Sequence, residues 1–389
     1  MSSQPQATEN TYEFFLVVAP GFEILAEKEI SRFTLTPVSR ERGGLTVHLP
    51  LAEGLELNRV LRIPTRILLR LASFGCRDFP KLFKKMVGFP WAEWVAGPVE
   101  FVASTHKSRL FIKKRIEKAC EDGFAKAQKA GSAPIDGEPS TVYVRFVDDI
   151  CFVSLDTSGE LLHRRGVKTM TSEAPLRETI AAAMLAFMGE PPEGTVLVDP
   201  MVGTGTFFFE AANVESKRDY AFETIPKYIE EKTTVSSPPS PQTSNVDGNT
   251  NGNGNIKRPT FSRFVGFEID PKTASAAREN LKSIGAPVAI EVADIFDAKP
   301  LAGNETRWLI ANPPYGERLK IEGRLKDYYE LLFASCERIV KPKKACFVLP
   351  DSSRPEKLRA PNNWRLESLL KFQNGGLPVT ALLFVCKET

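Results

Sequence analysis

Residues 195–212 read TVLVDPMVGTGTFFFEAA, and the order of chemistry along them decides the fold. The apolar run Val196-Leu197-Val198 has the length and branching of a buried strand and ends in an acid, Asp199. Pro200 leads from that acid toward the glycine turn Gly203-Thr204-Gly205, and Thr206–Ala212 continues as a helix. Strand, acid, glycine turn and helix in succession make a nucleotide-binding crossover. The glycines let the backbone approach a ligand closely, and the helix N-terminus offers N–H groups with no partner inside the helix. The spacing is not the G-x-G-x-x-G of a dinucleotide site, which argues against a nicotinamide cofactor.

Working outward, strands are expected over 263–269, 287–292, 308–311 and 345–349, and helices over 271–284 and 327–340. The runs 365–372 and 380–386 flank Asn374-Gly375-Gly376 and read as an antiparallel hairpin. Upstream, a helix is expected over 174–188, with Pro175 tolerated in its first turn. The alternation predicts an α/β domain over 166–389. It is a Rossmann-like, seven-stranded, mainly parallel sheet with helices on both faces and one antiparallel strand at its edge. Ligands of such sheets bind outside the carboxyl ends of the strands. Asp199, Glu268, Asp294 and Asn312 each follow one expected strand and so line one edge of the sheet. Glu268 is placed to accept hydrogen bonds from ribose hydroxyls. Asp270, just before Pro271, suits a helix cap.

The most specific signal is Asn312-Pro313-Pro314-Tyr315-Gly316. Two prolines remove two backbone donors and stiffen the chain. The Asn312 side-chain oxygen and the Pro313 carbonyl can then address one amino group, while Tyr315 offers a flat face to a planar base. Both guanine N2 and adenine N6 ask for these same acceptors.

The N-terminal half reads differently. Strands over 12–18, 45–49 and 66–73 with helices over 22–33 and 51–61 form a small α+β unit, 12–73. Helices over 81–87, 91–95 and 109–130 and strands over 99–104, 141–146 and 150–155 form another, 74–165. Residues 1–11 are expected to be a flexible tail. The stretch KTTVSSPPSPQTSNVDGNTNGNGNIKRPT, 232–260, is almost devoid of large apolar side chains and is expected to be a disordered insertion.

Composition excludes more than it selects. Lys+Arg 51 against Asp+Glu 48 leaves a net charge of +3, so a nucleic-acid partner has to be argued from local clusters. Lys81, Lys84 and Lys85 form one. Lys107, Arg109, Lys113, Lys114, Arg115 and Lys118 form a second, and Arg164, Arg165 and Lys168 a third. Any one of them reads as a solvated face; three within one half favour phosphate contact. The six cysteines include no C-x-x-C and the three histidines lie far apart, so no metal is expected and the thiols read as reduced and packed. The first residues lack the basic and apolar blocks of a signal peptide, and no apolar run reaches the roughly 20 residues of a spanning helix. A cytoplasmic location without a membrane partner is expected.

DPMVGTGT at 199–206 and ANPPYGERL at 311–319 together resemble the motifs of a class I S-adenosylmethionine-dependent methyltransferase acting on an exocyclic amino group, in the ribosomal RNA guanine-N2 branch. The N-terminal half is similar to a THUMP RNA-binding module with a ferredoxin-like companion, and LHRRGVKTMTSEAPLRETIAAAML, 162–185, matches the family's joint between the halves. Val202 and Thr204 depart from the family's usual Cys and Ser. The resemblance implies cofactor binding by Asp199, Pro200, Gly203, Thr204, Gly205, Thr206, Glu268, Asp294 and Asn312. It implies methyl transfer by Asn312, Pro313, Pro314 and Tyr315 to a guanosine of large-subunit ribosomal RNA. RNA would be held by Lys107, Arg109, Lys113, Lys114, Lys118, Arg164 and Arg165. Transfer RNA as substrate, adenine N6 in RNA or DNA as target, and a non-catalytic RNA-binding assembly factor stand as alternatives.

Overall fold

Two seven-stranded sheets hold the strands of the computed structural model, which describes residues 11–166, 176–234, 261–316 and 324–387. The first is built from β1 (Thr11–Val17), then, after α1 (Glu23–Ile30), β2 (Val38–Glu41) and β3 (Gly44–Pro50). It continues through α2 (Leu51–Val60), β4 (Arg66–Gly75), α3 (Phe79–Val87), α4 (Trp91–Trp94), β5 (Val99–His106), α5 (Lys113–Lys129), β6 (Ser140–Val147) and β7 (Ile150–Asp156). The strand order is β2-β3-β1-β4-β7-β6-β5, so strands from both expected N-terminal stretches, 12–73 and 74–165, share one sheet. The side chains of β6 follow the period of two of a half-buried strand: Val142, Val144 and Phe146 are fully buried and their neighbours are not. The turn into β7 is Asp148-Asp149, both at positive φ, the geometry that closes a two-residue hairpin.

Asp149 also explains why α5 starts later than the sequence suggests. Its carboxylate accepts from the backbone N–H of Arg109 at 2.7 Å, and Ile112 takes an extended conformation at the cap. Residues 109–112 therefore enter as an extended arm, and the helix begins at Lys113.

The second sheet follows α6 (Glu178–Met188). It takes β8 (Val196–Asp199), α7 (Thr206–Ala211), α8 (Pro226–Thr234), β9 (Arg263–Glu268), α9 (Pro271–Asn280), β10 (Val288–Val292), β11 (Arg307–Ala311), α10 (Leu325–Val340), β12 (Lys344–Pro350), β13 (Trp364–Asn374) and β14 (Leu377–Cys386). The order is β10-β9-β8-β11-β12-β14-β13, with the first five strands parallel. β14 runs against both of its neighbours, so one strand of seven is reversed. It is not the edge strand that was expected. Val379, Ala381, Leu382, Leu383 and Phe384 of β14 are all buried, whereas β13 is mostly exposed, and the apolar strand takes the interior place. Gly375 and Gly376, both at positive φ, form the two-residue turn between them.

Helices cover both faces. Leu332, Phe333, Cys336 and Ile339 of α10 share one core cluster with Val196, Val198, Val265, Phe267 and Phe347. On the opposite face Phe208 of α7 meets Phe264 at 5.1 Å between ring centroids.

The described residues fall into two compact units that do not follow chain order. The first contains the β1–β7 sheet and also takes in α8 and the turn before it; the second contains the β8–β14 sheet and also takes in α1 through Glu29. Phe22, at the start of α1, lies 4.7 Å from Phe372 of β13. Residues 232–234 complete α8, so the expected insertion begins three residues too early; its remainder, like residues 1–10 of the expected tail, lies outside the described residues. Thr11, also assigned to that tail, opens β1. The expected start of the helix at 174, with Pro175, also lies outside them; the helix is described from Glu178. All six cysteines are free and buried, as packed thiols should be.

Gly54, on the buried side of α2, faces the Phe14 ring so closely that a Cβ there would overlap it. Gly54→Ala is expected to lower the unfolding free energy by about 1–3 kcal/mol through overpacking, despite the better helix propensity of Ala. Urea denaturation checks this, and a stabilised variant would contradict it.

Candidate active site

β10, β9, β8 and β11 are consecutive and parallel, so Asp294, Glu268, Asp199 and Asn312 emerge from one edge of the sheet at successive strand ends, about 4.8 Å apart per strand. β9 and β10 extend the sheet on one side of β8, and β11 and β12 on the other. The crevice of an open α/β sheet forms at such a reversal. The sequence-based expectation for these four residues and the observed topology agree.

The glycine loop is fixed at its sides and open at its tip. Val202 N–H donates to the Phe267 carbonyl at 2.9 Å, and Gly203 N–H donates to the Glu268 carboxylate at 3.0 Å. Asn280 donates its side-chain amide to the Thr204 carbonyl at 3.2 Å. Gly203 and Gly205 both have positive φ, but for different ends. A Cβ on Gly205 would come within 2.7 Å of Leu281, so this glycine serves packing against α9. A Cβ on Gly203 would meet nothing within 4 Å, so this glycine borders open space where a ligand can approach the backbone. Pro200 is buried, as are Thr204 and Thr206, each 6% exposed.

Asp199 is 2% exposed and accepts from Met201 N–H at 3.0 Å. Burial drives its carboxyl up to about 8 against that hydrogen bond, and the negative charge of Glu268 adds to the rise. Two acids side by side, one of them held near neutrality, suit a cationic ligand group, which would restore the charged form. Glu268 spends its other oxygen on Asp270 N–H at 3.0 Å. Asp270 itself caps α9 through Lys272 and Thr273, as its place before Pro271 suggested.

Asp294 accepts from Phe296 N–H at 2.9 Å. Phe296 packs edge-on against Tyr328 of α10, whose hydroxyl reaches the Met201 sulfur at 3.8 Å. Burial, with Asp294 nearby, pushes the Tyr328 phenol up to about 12. Met201, Phe296 and Tyr328 thus form an aromatic and thioether wall that sequence reasoning did not identify. Phe296, two residues beyond a strand-end acid, was the available signal.

At β11, Asn312 presents its side-chain oxygen to the Tyr315 hydroxyl, which donates to it at 2.7 Å. The same Tyr315 oxygen accepts from the amide of Asn374, the last residue of β13, at 3.3 Å. Burial raises the Tyr315 phenol to about 12. Tyr329 donates to the Pro314 carbonyl at 2.9 Å and so ties the loop to α10. Asn374 had signalled only a turn in the sequence.

No group of three or more metal-ligating side chains occurs among the described residues, and no helix there is long and apolar enough to cross a membrane. In the first unit Lys107, Arg109, Lys113, Lys114 and Lys118 are all exposed, with Lys118 pairing Asp122 at 3.0 Å. Among them stand Phe111, 69% exposed, and Ile112, which the sequence reading passed over as part of a helix. Arg164 is exposed, but Arg165 is not a phosphate ligand. It is 5% exposed, and its guanidinium lies 3.3 Å from the fully buried Glu210 carboxylate of α7, which needs a counter-charge there. Lys168 lies outside the described residues.

Residues 165–379 match the family model described as UPF0020, RMKL-like, methyltransferase domain. The chain belongs to this RMKL-like methyltransferase family. Ribosomal RNA large subunit methyltransferase K/L of Syntrophotalea carbinolica is 28% identical over 340 residues, 82% of this chain and 46% of that protein. The protein of the same name from Shewanella sp. (strain MR-4) is 27% identical over 336 residues, 82% of this chain and 45% of that protein. The chain therefore spans under half the length of these curated relatives. The solved structure of SMU.472, a complex with SAH, covers 98% of this chain and 100% of its own with a TM-score of 0.76 at 22% identity, which shows a shared fold.

The raised Asp199 carboxyl gives stability a definite pH slope. The folded state holds a proton there that the unfolded state releases from about pH 4 upward, so stability falls as pH rises from about 4 to about 8. Asp199→Asn keeps an acceptor for Met201 and cannot ionise. It is expected to flatten that slope and to be more stable than the wild type at pH 8, on the order of a few kcal/mol, but not at pH 4. Urea midpoints across this range decide it; parallel curves for the two proteins would refute the assignment.

Proposed function

We propose that this chain is an S-adenosylmethionine-dependent RNA methyltransferase that methylates the exocyclic N2 amino group of a guanosine in large-subunit ribosomal RNA. The observation that carries this reading is the Asn312–Tyr315 loop standing at a strand end beside Asp199 and Glu268, within an RMKL-like methyltransferase domain. The names of the longer relatives favour ribosomal RNA over transfer RNA as substrate.

The residues present fit the cofactor. The open side of Gly203 admits a ligand to the loop backbone, and Asp199, Pro200, Thr204, Gly205 and Thr206 frame that loop at the methionine end. Glu268 suits the ribose hydroxyls, and Asp294, with the Phe296–Tyr328 wall, suits the base. When bound, S-adenosylmethionine supplies an electrophilic methyl on a sulfonium.

The chain's own task is positioning. The target amino lone pair is delocalised into the ring and is a poor nucleophile. Asn312 Oδ1 and the Pro313 carbonyl accept its two hydrogens, which favours a more pyramidal nitrogen and aims it. The methylated nitrogen is acidic and sheds its proton without a dedicated base. A base within folded RNA has to be extruded to reach such a loop, and stacking on Tyr315 offsets that cost. In the first unit, which is similar to a THUMP module, Lys107, Arg109, Lys113, Lys114 and Lys118 contact phosphates. Phe111 gives an unpaired base a stacking face.

Asn312→Ala is expected to reduce transfer by at least about 10²-fold, in line with the loss of one preorganised polar group, while cofactor affinity by calorimetry stays within a few-fold. Mass spectrometry of nucleosides from ribosomal and transfer RNA treated with the wild type should find N2-methylguanosine in the large-subunit RNA. N6-methyladenosine alone, or methylation of transfer RNA alone, would overturn the assignment of base or of RNA.

The basic arm separates two kinds of contact. Lys113→Ala with Lys114→Ala should weaken RNA binding and lower the salt slope by roughly 1.4–1.8, the loss of two phosphate contacts. Phe111→Ala should weaken binding by about 1–3 kcal/mol with the slope unchanged. Binding isotherms at several salt concentrations distinguish these outcomes, and an unchanged slope in the double lysine variant would remove that face from the RNA contact.

A further inference from the structure

We propose that Asn374 is a positioning residue that fixes which end of the Asn312 carboxamide faces the substrate, and so makes the site an acceptor of amino groups. The inference rests on the amino-methylating function given above. Its structural basis is the chain of hydrogen bonds from Asn374 Nδ2 to Tyr315 Oη at 3.3 Å and from Tyr315 Oη to Asn312 Oδ1 at 2.7 Å.

The two ends of a carboxamide have almost the same shape but opposite roles: the oxygen accepts and the NH2 group donates. A target amino group donates through both hydrogens, so Asn312 is useful only with its oxygen forward. Tyr315 alone cannot enforce that, because a phenol can donate to the oxygen of Asn312 or accept from its NH2 group. Asn374 faces Tyr315 with its NH2 end, and in that orientation it can only donate, so it occupies a lone pair of the Tyr315 oxygen and leaves the phenolic proton to point toward Asn312. The Asn312 oxygen then turns toward Tyr315 and keeps a second lone pair for the substrate.

The relay is built into the second unit by elements far apart in sequence. Asn312 and Tyr315 follow β11, while Asn374 is held at the end of β13 by its pairing with Leu377 across the Gly375-Gly376 turn. Burial keeps the Tyr315 proton in place, since its phenol is raised to about 12. The relay therefore stays intact across the working pH range of most enzymes.

Asn374→Asp reverses the relay with little change of shape. A carboxylate can only accept, so the Tyr315 proton turns toward residue 374. The Tyr315 oxygen then accepts from Asn312 Nδ2, and the carboxamide presents the wrong end to the substrate. The N374D variant is expected to lose about 10²-fold in kcat, comparable with removal of one preorganised group, with cofactor affinity by calorimetry unchanged. Two readouts separate this from a structural defect. The loss should shrink to within about threefold in a Tyr315→Phe background, which keeps the ring and removes the relay. It should also diminish as pH falls and the new carboxyl gains a proton it can donate, whereas the wild type shows no such recovery.

The proposal is overturned if N374D retains kcat within about twofold of wild type. An equal loss in both backgrounds, or a loss independent of pH, would overturn it as well. A wild type that methylates no amino group in RNA would instead bring down the function on which the proposal rests, and the proposal with it.

Discussion

The hydrogen bond from Gly203 N–H to the Glu268 carboxylate joins the loop after β8 to the end of β9. The glycine loop could not hold its shape through its own helix, since α7 is six residues long and is preceded by a left-handed glycine without a side-chain cap. The neighbouring strand supplies what the helix cannot: Phe267 and Glu268 each take one loop N–H. This leaves Asp199 buried with Glu268 beside it, and burial above all, with the neighbouring charge adding to it, raises the Asp199 carboxyl. A buried acid of this kind is tolerable where a positive ligand is to be received, and it makes the site less stable without one.

The opposite solution appears behind the same helix. Glu210 is fully buried, and Arg165 answers it directly. A buried pair of this kind contributes little net stability, but removing either partner would strand the other. One end of α7 thus borders unbalanced charge meant for a ligand, while the other is neutralised within the protein.

Much of the second sheet was legible in the sequence because its signals are local. Each apolar run in β8, β9 and β11 ends at a polar residue, and alternation with helices leaves few arrangements. What was hidden depends on distant partners. The Arg164-Arg165 pair looked uniformly basic because Glu210 lies well downstream of it. Asn374 looked like a turn residue because Tyr315 is remote in sequence. The order of β13 and β14 depends on relative burial, which becomes clear only when both strands are compared. The late start of α5 depends on Asp149 reaching Arg109 across the β6–β7 turn. The α8 helix was passed over because a polar, proline-rich stretch follows it immediately.

The contact between Phe22 and Phe372 carries a consequence for assembly. Phe22 immediately precedes α1, yet the ring that it meets belongs to β13, far away along the sequence. Pairings this distant are slow to form, because loop closure is unfavourable until many other contacts are in place. Until β13 is in place, the side of Phe22 that meets Phe372 has to remain uncovered or be shielded by other means. The second unit is thus a late-closing structure. The β13–β14 hairpin has to place Phe372 before Phe22 gains this partner, so closure of the second unit couples segments far apart in sequence.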